Sequence, residues 1–144
     1  MVHGRGAKIN KMISIAIIGS RDFPNEAKVR QFVQSLPSDW ELVSGGAIGP
    51  DSWAELEFRA RKMATNIYYP NWKDLGKMAG IIRNSLIIQD ADCVVAFYNN
   101  SNGTKDSMRK AVAARKPLWV ITAEDDLPTV EEILRKLPAS ATNA

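Results

Sequence analysis

A chain of 144 residues, 45% hydrophobic and 24% charged, has the size and balance of one globular domain, and it holds no run near the roughly 20 apolar residues that cross a bilayer. Its one cysteine, Cys93, excludes an internal disulfide, and a basic start with no apolar segment behind it excludes a secretory signal, so a reducing, cytoplasmic setting is expected. The net charge of +3 is carried by Arg5, Lys8 and Lys11; the other 16 of the 19 Lys and Arg balance 16 Asp and Glu, so the folded part lacks the global basic footprint of a nucleic-acid backbone binder.

Residues 1–12, with two glycines, scattered charge and no periodicity, read as a flexible basic leader. Ile13 to Ile18 is a nearly continuous apolar run ending at Gly19, the pattern of a strand covered on both faces. Asn25 then caps a helix whose Val29, Phe32, Val33 and Leu36 recur at helical spacing until Pro37. Trp40 to Ser44 predicts a second strand. Pro50 to Ala64 predicts a helix with Trp53, Leu56, Ala60 and Met63 inward, and Ile67-Tyr68-Tyr69 a third strand. Beyond the Pro70-Asn71-Trp72 loop, Leu75, Met78, Ala79, Ile82 and Leu86 share the face of a helix reaching about Ile88. Cys93 to Phe97 is the fourth strand, with a buried thiol; residues 105–115 form a helix with Met108, Ala111 and Val112 inward; Leu118 to Ile121 is the fifth strand. Thr-Val-Glu-Glu at Thr129 is a capping box opening a last helix that ends before Pro138, and 139–144 read as a flexible tail.

Strands alternating with helices imply right-handed crossovers and a parallel sheet. The expected architecture is α/β: a single Rossmann-like three-layer domain over 13–138, with about five mostly parallel strands in the order 3-2-1-4-5 and helices on both faces. In such sheets ligands sit beyond the carboxyl ends of the strands, so the loops after strands one, two and four are where chemistry is expected.

Those three loops are unusual. After the first strand, Gly19-Ser20-Arg21-Asp22 offers a sharp turn, a hydroxyl and a guanidinium that can grip a phosphate, although a plain strand-to-helix turn needs the same residue types. After the second, Ser44-Gly45-Gly46-Ala47-Ile48-Gly49-Pro50-Asp51 leads straight into a helix, and its glycines open backbone amides to an oxyanion near the helix dipole. The loop lacks the Gly-Lys-Ser/Thr ending of a Walker motif. Asp51 reads equally as a complement to the helix dipole or as an acceptor for a ribose hydroxyl. After the fourth strand, Asn102-Gly103-Thr104 serves as a turn with Thr104 as helix cap, or as a second ligand loop facing the same crevice. Arg83-Asn84 interrupts an apolar helix and needs partners, from the protein, from water or from a ligand, while Trp72 reads as a packing residue rather than a stacking platform.

Taken in order, Gly19-Ser20-Arg21, Ser44-Gly45-Gly46-Ala47-x-Gly49-x-Asp51, Pro70-x-Trp72, Gly80-Ile81-Ile82-Arg83-Asn84 and Gly103-Thr104 resemble the SLOG superfamily over about residues 13–122. That Rossmann-like group includes the DNA-processing protein A family, the lonely-guy phosphoribohydrolases and stand-alone YspA-like proteins, which this chain looks most like. The resemblance implies that Gly19, Ser20, Arg21, Ser44, Gly45, Gly46, Ala47, Gly49, Asp51, Arg83, Asn84, Gly103 and Thr104 line a pocket for a nucleotide or nucleotide derivative. It also has departures. The lonely-guy loop Pro-Gly-Gly-x-Gly-Thr-x-x-Glu is here Asn-Ser-Asn-Gly-Thr-Lys-Asp-Ser, so Ser107 stands in the place of the catalytic glutamate, and Asp106 lies about 100° away on a helix. The further domains typical of DNA-processing protein A are not in this sequence.

The leading expectation is a sensor or sequestering protein for a small nucleotide-type ligand, because a phosphate cradle comes without an evident nucleophile or metal set; the single histidine, His3, lies in the leader. No metal, no cofactor and no membrane partner is expected, and a homodimer or higher homo-oligomer is left open. If the chain is an enzyme, it is expected to be a nucleotide N-glycosidic, phosphoribohydrolase-like hydrolase relying on Asp22, Asp51 or Asp106 with Arg21 or Arg83. Third in rank is single-stranded DNA binding of the DNA-processing protein A kind, through Arg21, Arg83, Lys105 and the leader.

Overall fold

The computed structural model describes residues 12–142; the expected leader, Met12 apart, and Asn143 and Ala144 lie outside them. Five strands, β1 (Ser14–Gly19), β2 (Glu41–Ser44), β3 (Thr65–Ile67), β4 (Cys93–Phe97) and β5 (Leu118–Ile121), form one sheet in the order β3-β2-β1-β4-β5. Every neighbouring pair is parallel, and the central β1 sets Ile15 opposite both Leu42 and Cys93. The reversal of strand order between β1 and β4 opens the crevice expected for such a sheet.

A continuous apolar strand feeds two cores, one residue to each side in turn. Ile15, Ile17, Leu42, Cys93, Val95 and Phe97 meet helices α1 (Glu26–Gln34), α2 (Pro50–Ala60) and α6 (Val130–Lys136) through Val29, Phe32, Phe58 and Ile133. On the opposite face Ala16, Ile18, Val43, Val94 and Ala96 meet α4 (Ala79–Asp90) and α5 (Asn102–Ala113) through Ile87, Ile88 and Ala111. Asn25 and Thr129 cap α1 and α6 as expected, accepting from Lys28 N at 3.0 Å and Glu132 N at 3.1 Å. No helix among the described residues is long and apolar enough to cross a membrane.

Several elements differ from their sequence expectation. Helix α2 ends at Ala60, where Lys62 turns to φ 58° and the Met63 N–H closes onto Phe58 O, and its inward residues are Asp51, Ala54 and Phe58. Leu56 is 56% exposed and Ala60 is exposed too. Pro50 sets this phase by packing so closely on β1 that a Cβ on Gly19 would lie 2.5 Å from its ring. β3 pairs from Thr65 rather than Ile67, because β2 runs out of partners at Ser44, and Tyr69 leaves the sheet into solvent.

The helix expected from Leu75 is broken at Gly76, at φ 55°, into α3 (Trp72–Leu75), a 3-10 turn over Gly76–Met78 and α4, which exposes Met78. Helix α5 begins at Asn102, not 105, so Thr104 is inside its first turn instead of capping it, and Thr104 and Ser107 point inward while Val112 is exposed. Ala139–Thr142, expected within a tail, form helix α7, with Ala141 in the core.

Candidate functional site

At the carboxyl ends of β1, β2 and β4 the three glycine-bearing loops enclose a cleft of about 710 Å³, within the range of small-molecule sites. Of the residues singled out in the sequence, Gly19, Arg21, Gly45, Gly46, Ala47, Asp51, Arg83, Asn84, Gly103 and Thr104 line it. Ser20, Ser44 and Gly49 do not. Ser20 and Ser44 are fully buried behind the wall, Ser44 donating to Ile17 O at 2.7 Å, and Gly49, at φ 98°, turns the chain into α2 against the Arg21 backbone.

The glycine loop after β2 is already filled by the protein itself. The Asp51 carboxylate accepts the Gly45 N–H at 3.0 Å and also takes a hydrogen bond from the Ala47 N–H, with the Ser44 side chain beside it. The anion expected in this nest is therefore the chain's own side chain, and no ligand oxyanion has access to those two amides. Asp51 is 4% exposed, which fits neither a ribose-hydroxyl acceptor nor a catalytic acid reached from solvent.

Burial pushes the Asp51 carboxyl above its usual value, against the opposing pull of Arg83 and of the neighbouring Gly45, Ser44 and Ala47. Burial likewise lowers the Arg83 guanidinium, against the attraction of Asp51. Both shifts run toward neutrality, so desolvation outweighs mutual attraction in this pair.

Arg83 is wedged across the floor of the cleft. Its Nη1 donates to Gly45 O at 2.7 Å and its Nε to Asn84 Oδ1 at 3.0 Å. A Cβ on Gly45 would lie 2.4 Å from Nη1, so the glycine there is the space that the guanidinium occupies. Asn84 continues the link by donating to Asp106 Oδ2 at 3.1 Å and reaching Gly103 O at 3.4 Å. Burial raises the Asp106 carboxyl, but its hydrogen bonds from Lys110 and Asn84 and the charges of Lys110 and Arg109 outweigh this and hold it below the usual range. Arg83-Asn84 thus finds protein partners and still borders the cleft.

The start of α5 carries no side-chain cap. Its cap residue, Ser101, makes no side-chain bond to the first-turn amides, and nothing lies within 4 Å of a Cβ built on Gly103. Uncapped N–H groups at a helix start carry partial positive charge and attract oxyanions. Arg21 stands exposed among the cleft-lining residues.

Seven lining residues were not among the site residues read from the sequence: Ile18, Ile48, Tyr69, Pro70, Trp72, Ile87 and Ser107. Trp72, expected to pack, is 59% exposed and Tyr69 47%, so together with Ile48 they give the cleft an apolar, aromatic rim. The Pro70-x-Trp72 motif was the available signal. The side chain of Ser107, a residue only 3% exposed, forms no hydrogen bond among the described residues. Of the three candidate carboxylates Asp22, Asp51 and Asp106, only Asp51 lines the cleft, and no group of three metal-ligating side chains occurs among the described residues.

No family model matches the sequence, and no curated protein matches it. Among solved structures, the chain is similar to DNA processing protein A from Streptococcus pneumoniae, with a TM-score of 0.74 at 15% identity over 89% of this chain; it spans 62% of that protein's length. It is also similar to the molybdenum cofactor binding protein of the phototrophic bacterium Rippkaea orientalis, with a TM-score of 0.63 at 21% identity over 83% of this chain and 80% of the other. The likeness to both is one of fold: this chain shares their Rossmann-like α/β architecture.

Proposed function

We propose that the protein binds a nucleotide or nucleotide-derived phosphate ligand in this cleft and holds it without turnover, as a sensor or sequestering protein. The observation that carries the reading is the pairing of an uncapped helix start at Gly103 and Thr104 with an exposed aromatic rim at Tyr69 and Trp72 in one cleft. A phosphate suits the first, and a flat base suits the second. Arg21 and Arg83 supply the cations. The phosphate is assigned to α5, not to the paired glycines, because Asp51 fills the latter. That a protein described as binding the molybdenum cofactor has this fold supports a small-molecule ligand.

Hydrolysis finds less support, since N-glycosidic cleavage needs a carboxyl group within reach of the leaving base. Asp51 is tied to backbone amides, Asp106 to Lys110 and Asn84, and the wall position of Ser107 presents a hydroxyl. Single-stranded DNA is the second reading, favoured by the likeness to DNA processing protein A and by the exposed Arg21.

The test is mass spectrometry of the small molecule that co-purifies with the protein, followed by calorimetric titration with nucleoside 5′-monophosphates. The expected result is a phosphorylated, intact ligand whose binding is lost in Arg21→Ala with the melting transition unchanged. Release of free base or ribose phosphate overturns the binder in favour of the hydrolase. Tight, steeply salt-dependent binding of oligonucleotides with none of monophosphates turns the reading to DNA.

A further inference from the structure

Behind the cleft wall, three hydroxyl groups from segments far apart in sequence form a chain of hydrogen bonds. The Asn99 backbone N–H, which can only donate, gives its hydrogen to Ser20 Oγ at 2.7 Å. Ser20 Oγ lies 2.8 Å from Ser101 Oγ, and Ser101 donates to Thr104 Oγ1 at 2.7 Å. A hydroxyl has one hydrogen. Ser101 has given its own to Thr104, so it accepts from Ser20, and the direction of the chain is fixed from end to end.

The hydrogen left over is that of Thr104. No acceptor for it occurs among the described residues, and Thr104, although buried, lines the cleft. The first link is rigid as well: the Ser20 N–H donates to Phe97 O at 2.9 Å and Ser20 O accepts from Phe23 N at 3.0 Å, which ties β1 to β4 at the point where strand order reverses. In a low-dielectric wall, each bond of such a chain polarises the next.

We propose that Ser20 and Ser101 are positioning residues that aim the Thr104 hydrogen into the cleft, where it is donated to a ligand acceptor, such as a phosphate oxygen, at the start of α5. The proposal rests on the reading of the cleft as a phosphate-ligand site and extends it to which ligand atoms are admitted. The Thr104 hydroxyl and the uncapped amides of the first turn all donate. A phosphate oxygen, charged and only accepting, can take several of them at once, whereas a ligand ammonium would set a donor against donors and a neutral hydroxyl accepts them more weakly. The relay also accounts for Ser20, which belongs to the glycine-serine-arginine turn and never reaches the cleft itself.

The experiment is calorimetric titration of the full chain with adenosine 5′-monophosphate and with inorganic phosphate, adenosine serving as the phosphate-free control. Thr104→Val is expected to weaken both phosphate-bearing probes about tenfold or more, the effect of removing a hydrogen bond to a charged group. Ser101→Ala is expected to weaken them by roughly threefold to tenfold through loss of direction alone. Thr104→Ser and Ser101→Thr, which keep the hydroxyls, should restore affinity to within about twofold, and adenosine should shift no more than that in any variant.

Ser101→Ala should further cost nothing in the Thr104→Val background. An equal cost of Ser101→Ala in both backgrounds, or failure of Ser101→Thr to rescue, overturns the relay. A wild-type protein that binds the monophosphate tightly and is indifferent to Thr104→Val sinks the relay while leaving the nucleotide reading intact. A wild-type protein that binds neither phosphate probe sinks both.

Discussion

Gly45→Ala puts a single methyl group where Arg83 now lies. The new Cβ would stand 2.4 Å from Nη1, 2.8 Å from Cδ and 2.9 Å from Cζ of Arg83, all below any real contact distance. Those atoms are the far end of a flexible side chain, so the guanidinium swings out and the backbone stays. What is lost is the 2.7 Å bond to Gly45 O and the cation facing the buried Asp51. A hydrogen bond from a charged donor contributes about 1.5–3 kcal/mol. Replacing glycine at a compatible backbone position returns about 0.4–1 kcal/mol through the unfolded chain.

The expected net loss is therefore about 1–2 kcal/mol in urea unfolding at unchanged m, or about 2–8 °C in melting temperature for a chain of this size. The decisive comparison is with Arg83→Ala. In that background the three atoms closest to the methyl group are gone, so Gly45→Ala should become neutral or stabilising, a reversal of sign. If Gly45→Ala is as destabilising there as in the wild type, the glycine is needed by the backbone itself and the account of Arg83 is wrong.

Two further expectations concern the acids and the aromatic rim. Asp106 has a folded pKa below its unfolded value, so its contribution is present above the ordinary carboxylate range near pH 4 and is lost as pH falls through the lower, folded value. The gap in urea midpoint between wild type and Asp106→Asn should close on acidification. Asp51 has the opposite sign: its folded pKa is raised, so the wild type should lose ground to Asp51→Asn as pH rises past the ordinary range. Parallel stability curves refute either assignment. Trp72→Ala, at a 59% exposed residue, should leave stability within about 0.5 kcal/mol while lowering adenosine monophosphate affinity by about 1–3 kcal/mol. Inorganic phosphate should be unaffected, and a joint fall of both ligands would show that Trp72 shapes the anion site rather than stacking on a base.

The strands were legible wherever pairing and hydropathy agree. Cys93–Phe97 and Leu118–Ile121 stand where the apolar runs place them, because both are bounded by turn residues and paired along their length. β3 was misplaced by two residues for a physical reason. Tyr68 and Tyr69 carry high β propensity, yet the strand's extent is set by the four-residue partner β2, and the polar Thr65 and Asn66 do the pairing. Helix phase failed in a similar way. Trp53 and Met63 pack against the core as expected, but Leu56, which outweighs Asp51 and Ala54 in any hydropathy count, faces out. Pro50 against Gly19 fixes the rotation, and the helix turns a carboxylate inward because the glycine loop has donors for it.

The same misjudged phase explains what the sequence hid about the site. Two glycines followed by a helix start describe a cradle without saying what lies in it, and a ligand phosphate and an aspartate six residues ahead fit the same amides. Once Asp51 takes them, it competes with any external anion at an effective concentration no free ligand matches, so that loop is rigid scaffold and holds Arg83 in register. The proposed anion site is therefore at α5, where a serine stands at the cap without capping because its hydroxyl is committed to Ser20 and Thr104. No local pattern encodes that commitment: Ser20 and Ser101 are 81 residues apart and meet only because β1 and β4 are neighbours in the sheet. The cap that α5 lacks is thus the direct cost of the hydroxyl chain, and an uncapped helix start beside an oriented donor is the condition an oxyanion requires.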